Sequence, residues 1–284
     1  MFFLAAVSLI FAGCHKDHIT ELTTVKVRVN DFFISQENIP GTKDAIASYN
    51  GVKAITLAFY TTDGIEQYKT TQFRDSASTY TTFGEFDLTL PMGSYTMVVL
   101  GYGLNSGEPA VTLTSPTSAT FGEYPARETF AATQTVNITT TDAVNLSATL
   151  SRIISKLRVV STDVRTANAA SVRMTFAAGG KSFNPTTGLA TSNTGFSNTV
   201  AISSAVGATS MTNSYLFLST DQQTMTVTID VLDADGESVS HKVVDNVPFQ
   251  RNVMTQLTGS LYTSGAGIGF MVNTSWIDTV YVNF

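Results

Sequence analysis

An all-β chain built as antiparallel sandwiches is predicted by three observations. Apolar and polar residues alternate with a period of two almost throughout, Asp-Gly pairs separate alternating runs, and no 3.6-residue period is sustained beyond residue 13. Val25-Lys26-Val27-Arg28-Val29 opens the series, with valine on one face and charge on the other. Phe86, Leu88 and Leu90 alternate with Glu85, Asp87 and Thr89. Val144, Leu146 and Ala148 form a further run, and Ile153, Ser155, Leu157 and Val159 start the next, so a boundary is predicted near residue 149. Val172, Met174 and Phe176 follow, then Met225 to Val231, whose Thr and Asp residues are expected on the water-facing side. Asp63-Gly64 and Asp235-Gly236 suit two-residue type I′ hairpins. Gly179 to Thr212, rich in Thr, Ser, Asn and Gly, reads as a loop excursion, while Asp163 to Ala170 is too short to assign. Short strands with Gly- and Asp-rich turns in both halves point to sandwiches, because a parallel α/β sheet would need helices between its strands.

The first residues carry a different signal. Phe2 to Gly13 is a short apolar run closed by two small residues and followed by the only cysteine, Cys14. The run is too short to cross a bilayer as a helix but has the length of a signal-peptide core. Phe11-Ala12-Gly13-Cys14 resembles a bacterial lipobox, in which cleavage falls between Gly13 and Cys14 and the thiol of Cys14 carries lipid. Lipidation would also account for an exported chain with one unpairable thiol. The expected organisation is a signal at 1–13, a tether at 14–21, an N-terminal sandwich at 22–149 and a C-terminal sandwich at 150–284. Loss of the signal leaves about 270 residues, enough for two ordinary domains. Apolar residues at 43% exclude disorder as the main state, and a net charge of −6 argues against a nucleic-acid partner.

No constellation points to catalysis. His15 and His18 fall in the tether, and His241 stands alone in a strand-like run without a G-x-S-x-G elbow, so it reads as a sheet-surface residue. Metal ligands at zinc spacing are absent from the sequence, and Asp233, Asp235 and Glu237 fit a hairpin turn better than a calcium loop. The Gly-rich stretches 101–107 and 265–269 lack a dinucleotide-binding pattern. The chain is read as non-catalytic, without cofactor or metal. Trp276, the sole tryptophan, begins the last alternating run, Ile277 to Phe284, and reads as a sheet anchor, with a sugar platform as the alternative.

Several phrases resemble one family. Phe86 to Gly103 (FDLTLPMGSYTMVVLGYG) is similar to the strand–Pro-x-Gly-x-Tyr–strand hairpin of the fimbrillin superfamily of Bacteroidetes, which includes minor, anchor-type fimbrial subunits. Val52 to Gly64, Leu150 to Leu157 and the Arg251-Asn252-x-x-Thr255-x-Leu257-x-Gly259 segment resemble the first long strand, the opening of the second domain and a late strand of that family. The resemblance implies two tandem transthyretin-like sandwich domains, export as an outer-membrane lipoprotein, and a part in fimbria assembly or adhesion. Its implied partners are other fimbrial subunits, the outer membrane through the lipid, and a host or bacterial surface glycan or protein. It also implies strand pairing between subunits. In stalk subunits an arginine-specific protease removes the first strand and a neighbour's terminal strand fills the groove, whereas anchor-type subunits keep lipid and strand. On that pattern Val25 to Val29 is the first strand, and Ile277, Thr279, Val280, Val282 and Phe284 form the candidate donor. Asp75-Ser76-Ala77 and Asp278-Thr279-Val280 resemble the phylum's O-glycosylation sites, with Ser76 and Thr279 as acceptors. A glycan-binding surface lipoprotein using Trp276 is the alternative function.

Overall fold

The computed structural model describes residues 21–36, 39–45, 49–75, 82–263 and 271–273. Its described secondary structure is all-β, with strands arranged in four sheets.

The first half contains β1 (Leu22–Gln36), β2 (Ile39–Ala45), β3 (Ala54–Thr61), β4 (Glu66–Phe73), β5 (Glu85–Pro91), β6 (Gly93–Tyr102), β7 (Thr112–Ser115), β8 (Ser118–Thr120), β9 (Thr129–Ile138) and β10 (Val144–Arg152). β1 lies between β5 and β10, and a second row runs β4–β3–β6–β9. The rows join where Arg152 and Ser151 of β10 pair with Phe130 and Ala131 of β9. Alternation explains the packing. Val25, Val27 and Val29 from β1, Phe86, Leu88 and Leu90 from β5, and Ala148 and Leu150 from β10 meet Ile55, Leu57, Phe59, Met97 and Val99 in one core.

The second half contains β11 (Ser155–Ser161), β12 (Ser171–Phe176), β13 (Ser182–Phe183), β14 (Phe196–Ala201), β15 (Met211–Leu216), β16 (Gln222–Leu232), β17 (Ser238–Gln250), β18 (Met254–Gly259) and β19 (Met271–Asn273). Its rows are β15–β11–β18–β19 and β14–β12–β16–β17, around a core that includes Leu157, Val172, Met174, Ile229 and Leu257. The wiring of the first half is repeated here, with β11 in the place of β1, β15 in that of β5 and β18 in that of β10.

Three expectations are corrected. The sheets are not wholly antiparallel, because β1–β10 and β11–β18 pair in parallel. Alternation reports which face a residue occupies, not the direction of the neighbouring strand. Nor are the Asp-Gly turns type I′. Gly64 (φ 79°) and Gly236 (φ 86°) have positive φ, but Asp63 and Asp235 do not. Gly64 N–H donates to Thr61 O and Thr61 N–H to Ile65 O, and the same pattern joins Gly236, Asp233 and Glu237. These are type I turns closed by a glycine bulge, in which only the last position needs the left-handed region. Finally, Gly179 to Thr212 is not a plain loop, since it holds β13 and β14. The inward positions of β14 are Phe196, Asn198 and Val200. The polar middle residue, bonded through its amide to Ser214 Oγ at 2.9 Å, hides the alternation.

The halves are joined by a third core. The outer face of β3 and β6 (Ala54, Ala58, Tyr60, Val98, Leu100, Tyr102) is covered by Leu113 and Phe121 from the first half and Phe183 and Phe217 from the second. Phe183 and Phe217 stack with centroids 4.1 Å apart, and the connecting residues Ile153 and Ile154 are buried among them. The small sheet β13–β8–β7 draws strands from both halves.

Candidate functional site

β1 carries the strongest organisation. Its first seven residues pair with β5, from Leu22↔Pro91 to Arg28↔Glu85, while Val25 to Val29 pair with Val144 to Ala148 of β10. Val25, Val27 and Val29 are fully buried, as is Thr23, whose hydroxyl donates to Thr140 O at 2.7 Å. A bulge between Val29 and Asp31 re-aims the chain, and the far half of β1 takes β2 as an antiparallel neighbour. There Phe32 packs against Phe130 and Tyr49, with centroids 5.0 and 5.7 Å away. Gly101 on β6 makes this possible, because a Cβ at that position would lie 2.9 Å from the Phe32 ring.

Outside the core, Lys26 faces Asp87 at 3.8 Å, and Arg28 Nε donates to Glu85 at 2.7 Å. Gln72 of β4 fixes the near end of β5 by donating to Glu85 O and accepting from Gly84 N–H, both at 2.7 Å. The outer face forms a depression of about 580 Å³ lined by Lys26, Arg28, Asn30, Asp87, Asn145 and Ser147. Its charges are opposite in sign and paired, so it offers hydrogen bonds but no nucleophile set against a base.

Two other polar clusters support this body. Arg152, with a side chain 1% exposed, pairs with Glu128 at 2.7 Å and reaches Tyr49 Oη at 3.0 Å and Asn252 Oδ1 at 3.3 Å, so one buried cation touches both halves. Asp163 gathers the chain beyond β18. It accepts from Leu261, Tyr262 and Thr263 N–H at 2.7–2.9 Å and from the Ser260 hydroxyl at 2.7 Å. Burial alone would raise its pKa, but these donors outweigh it and bring the carboxyl down to about 2.

His241 lies exposed on the sheet face, as the sequence suggests, with Nδ1 2.6 Å from Asp230. Asp230 is on the expected outward face yet buried, because Arg173 and His241 close over it from both neighbouring strands. Burial opposes its charge, and the bonds from those two partners hold its carboxyl below the ordinary range. The Asp233 carboxylate accepts from Asp235 and Glu237 N–H, as a turn requires.

Gly13, Cys14, Ser76, Trp276, Ile277, Thr279, Val280, Val282 and Phe284 lie outside the described residues. Arg152 and Asp163 were not singled out as single residues by sequence reasoning. Neither has a local pattern that marks it, since their partners are distant in the chain.

No curated protein matches the chain. Among solved structures, a candidate adhesin from Bacteroides ovatus has a TM-score of 0.56 at 11% identity, covering 91% of this chain and 97% of its own. A candidate adhesin from Bacteroides thetaiotaomicron has a TM-score of 0.51 at 12% identity, covering 91% and 99%. The fimbrial anchor protein Mfa2 from Porphyromonas gingivalis is also similar, with a TM-score of 0.48 at 13% identity, covering 90% and 98%. For the two candidate adhesins, at these identities, the likeness is one of fold. A family model matches residues 35–283, and the chain therefore belongs to the family of unknown function DUF6562.

Proposed function

We propose that this chain is a non-catalytic cell-surface lipoprotein of the fimbrial type. It would keep its first strand and act as an anchor or adhesive subunit that pairs strands with other subunits. The observation that carries the reading is the seating of β1. Arg28 is the only arginine before Arg74, and it sits mid-strand, with β5 on one side and β10 on the other. A protease needs an accessible extended chain, and Arg28 offers none while β1 stays in place. Removal of β1 would also expose the apolar faces of Phe86, Leu88, Ala148 and Leu150. The repeated wiring supports two tandem transthyretin-like domains, with the division moved from the expected residue 149 to the Ile153–Ile154 connection, because β10 runs to Arg152 and Leu150 packs in the first core. Lipid at Cys14 and a donor role for residues 277–284 complete the proposal, which also includes residence at the outer membrane.

The test is the mass of the mature N-terminus from native membranes. An acylated Cys14 is the expected result. A mature chain beginning at Val29 would overturn the retained-strand reading and indicate a polymerising subunit.

A further inference from the structure

Within the first half, three of the four exposed large hydrophobic residues gather at one end, the fourth being Tyr124 between β8 and β9. Leu22, Ile65 and Met92 are 57%, 60% and 46% exposed. They come from three separate elements: the start of β1, the β3–β4 turn and the β5–β6 turn. The register brings these together, since Leu22 pairs with Pro91, the residue before Met92, and Thr61 pairs with Tyr95 just beyond the same turn. Turn tips are ordinarily polar, and none of the three side chains belongs to a core cluster. The three side chains therefore take no part in the described cores.

The chain enters the body at this same end. Seven residues lie between Cys14 and Leu22, and the eight steps span at most about 28 Å when fully extended. We infer that Leu22, Ile65 and Met92 rest on the lipid bilayer, so that the first half stands tip-down on the membrane. The inference rests on the reading of Cys14 as lipidated, because the tether then holds this end within reach of the headgroups. Glu21, Asp63 and Asp142 are exposed at the same end. Their carboxylates stay in water, which limits the contact to the boundary between headgroups and acyl chains.

The experiment uses the full-length lipoprotein reconstituted in phosphatidylethanolamine–phosphatidylglycerol vesicles containing doxyl-labelled lipid. A fluorophore is placed at Met92→Cys or, for comparison in the second half, at Val206→Cys, another exposed position. Doxyl lipid should quench the label at position 92 at least twofold and leave that at 206 nearly unchanged. Adding Leu22→Ser and Ile65→Ser should reduce quenching at 92 by half or more with an unchanged melting temperature. An acylated Cys14 with equal iodide access at both labels would overturn the bilayer contact alone. Recovery of an unacylated chain would overturn both readings. Crosslinking between Met92→Cys copies without lipid quenching would assign the face to a second copy and overturn the proposal.

Discussion

β1 and β11 occupy the same place in two halves with the same wiring, yet they are tied into the chain differently. Each has an antiparallel neighbour on one side (β5 or β15) and a parallel neighbour on the other (β10 or β18). β11 is continuous with a buried connection, Ile153–Ile154, and leads on to β12, so it cannot leave without dismantling its half. The described part of β1 begins at the entry of the chain into the body, so its first half is held by pairing and burial alone. A repeated architecture thus holds two equivalent strands in place by different means. The difference lies in connectivity rather than in packing, since Val25 and Val27 are as deeply buried as Leu157 and Val159.

Substitutions that act on one half, or on both, test this contrast. Arg152→Ala should have the largest effect, because it leaves Glu128 without its cation and cuts the bridge to Asn252. A loss of about 3–5 kcal/mol is expected in denaturant unfolding, with the two halves separating into distinct transitions. Arg152→Met combined with Glu128→Gln should recover part of that loss. If both halves still unfold together in Arg152→Ala, the ionic cluster does not couple them. Gly101→Ala should act on the first half alone. The new methyl group meets the ring of Phe32, which is confined by Tyr49 and Phe130, at an expected cost of about 1–3 kcal/mol. Phe32→Leu in that background should restore some stability, and simple additivity of the two would refute the contact.

The smallest effect belongs to the second half. The folded Asp163 carboxyl titrates at about 2, below its ordinary value of 3.8, so its stabilisation is complete above pH ~4 and drains as the pH falls towards 2. Discounted for partial exposure, this amounts to about 1–2 kcal/mol. Asp163→Asn should lower stability at neutral pH by that amount and flatten the acid limb of a stability-against-pH curve. An unaltered acid limb would show that the bonds to Leu261, Tyr262 and Thr263 contribute nothing.

Much of the fold was legible because alternation is a local record of burial. Val25, Val27 and Val29, Val172, Met174 and Phe176, and Met225 to Ile229 all occupy the predicted faces. Partner identity was not legible, since β1–β10 joins residues about 120 apart and no local pattern encodes a parallel neighbour. Asn198 shows a second limit, because one satisfied polar residue on an inward position made β14 look like loop. Asp230 shows a third, where an outward residue is buried by its cross-strand partners rather than by its own periodicity. Of the candidate site, the first strand was legible as Val25 to Val29, but its double pairing and the bulge at Asn30 were not.

The parallel pairing of β1 with β10 also determines how the first half would answer a pull. Both strands start at the same end, with Val25 beside Val144, and β10 leaves at the other end towards the second half. Tension between the entry of the chain and Arg152 would drag the two strands past each other along their length. Their hydrogen bonds would then be strained in shear, together, instead of being unzipped one by one. Resistance of that kind depends on an unfolding rate under force rather than on equilibrium stability.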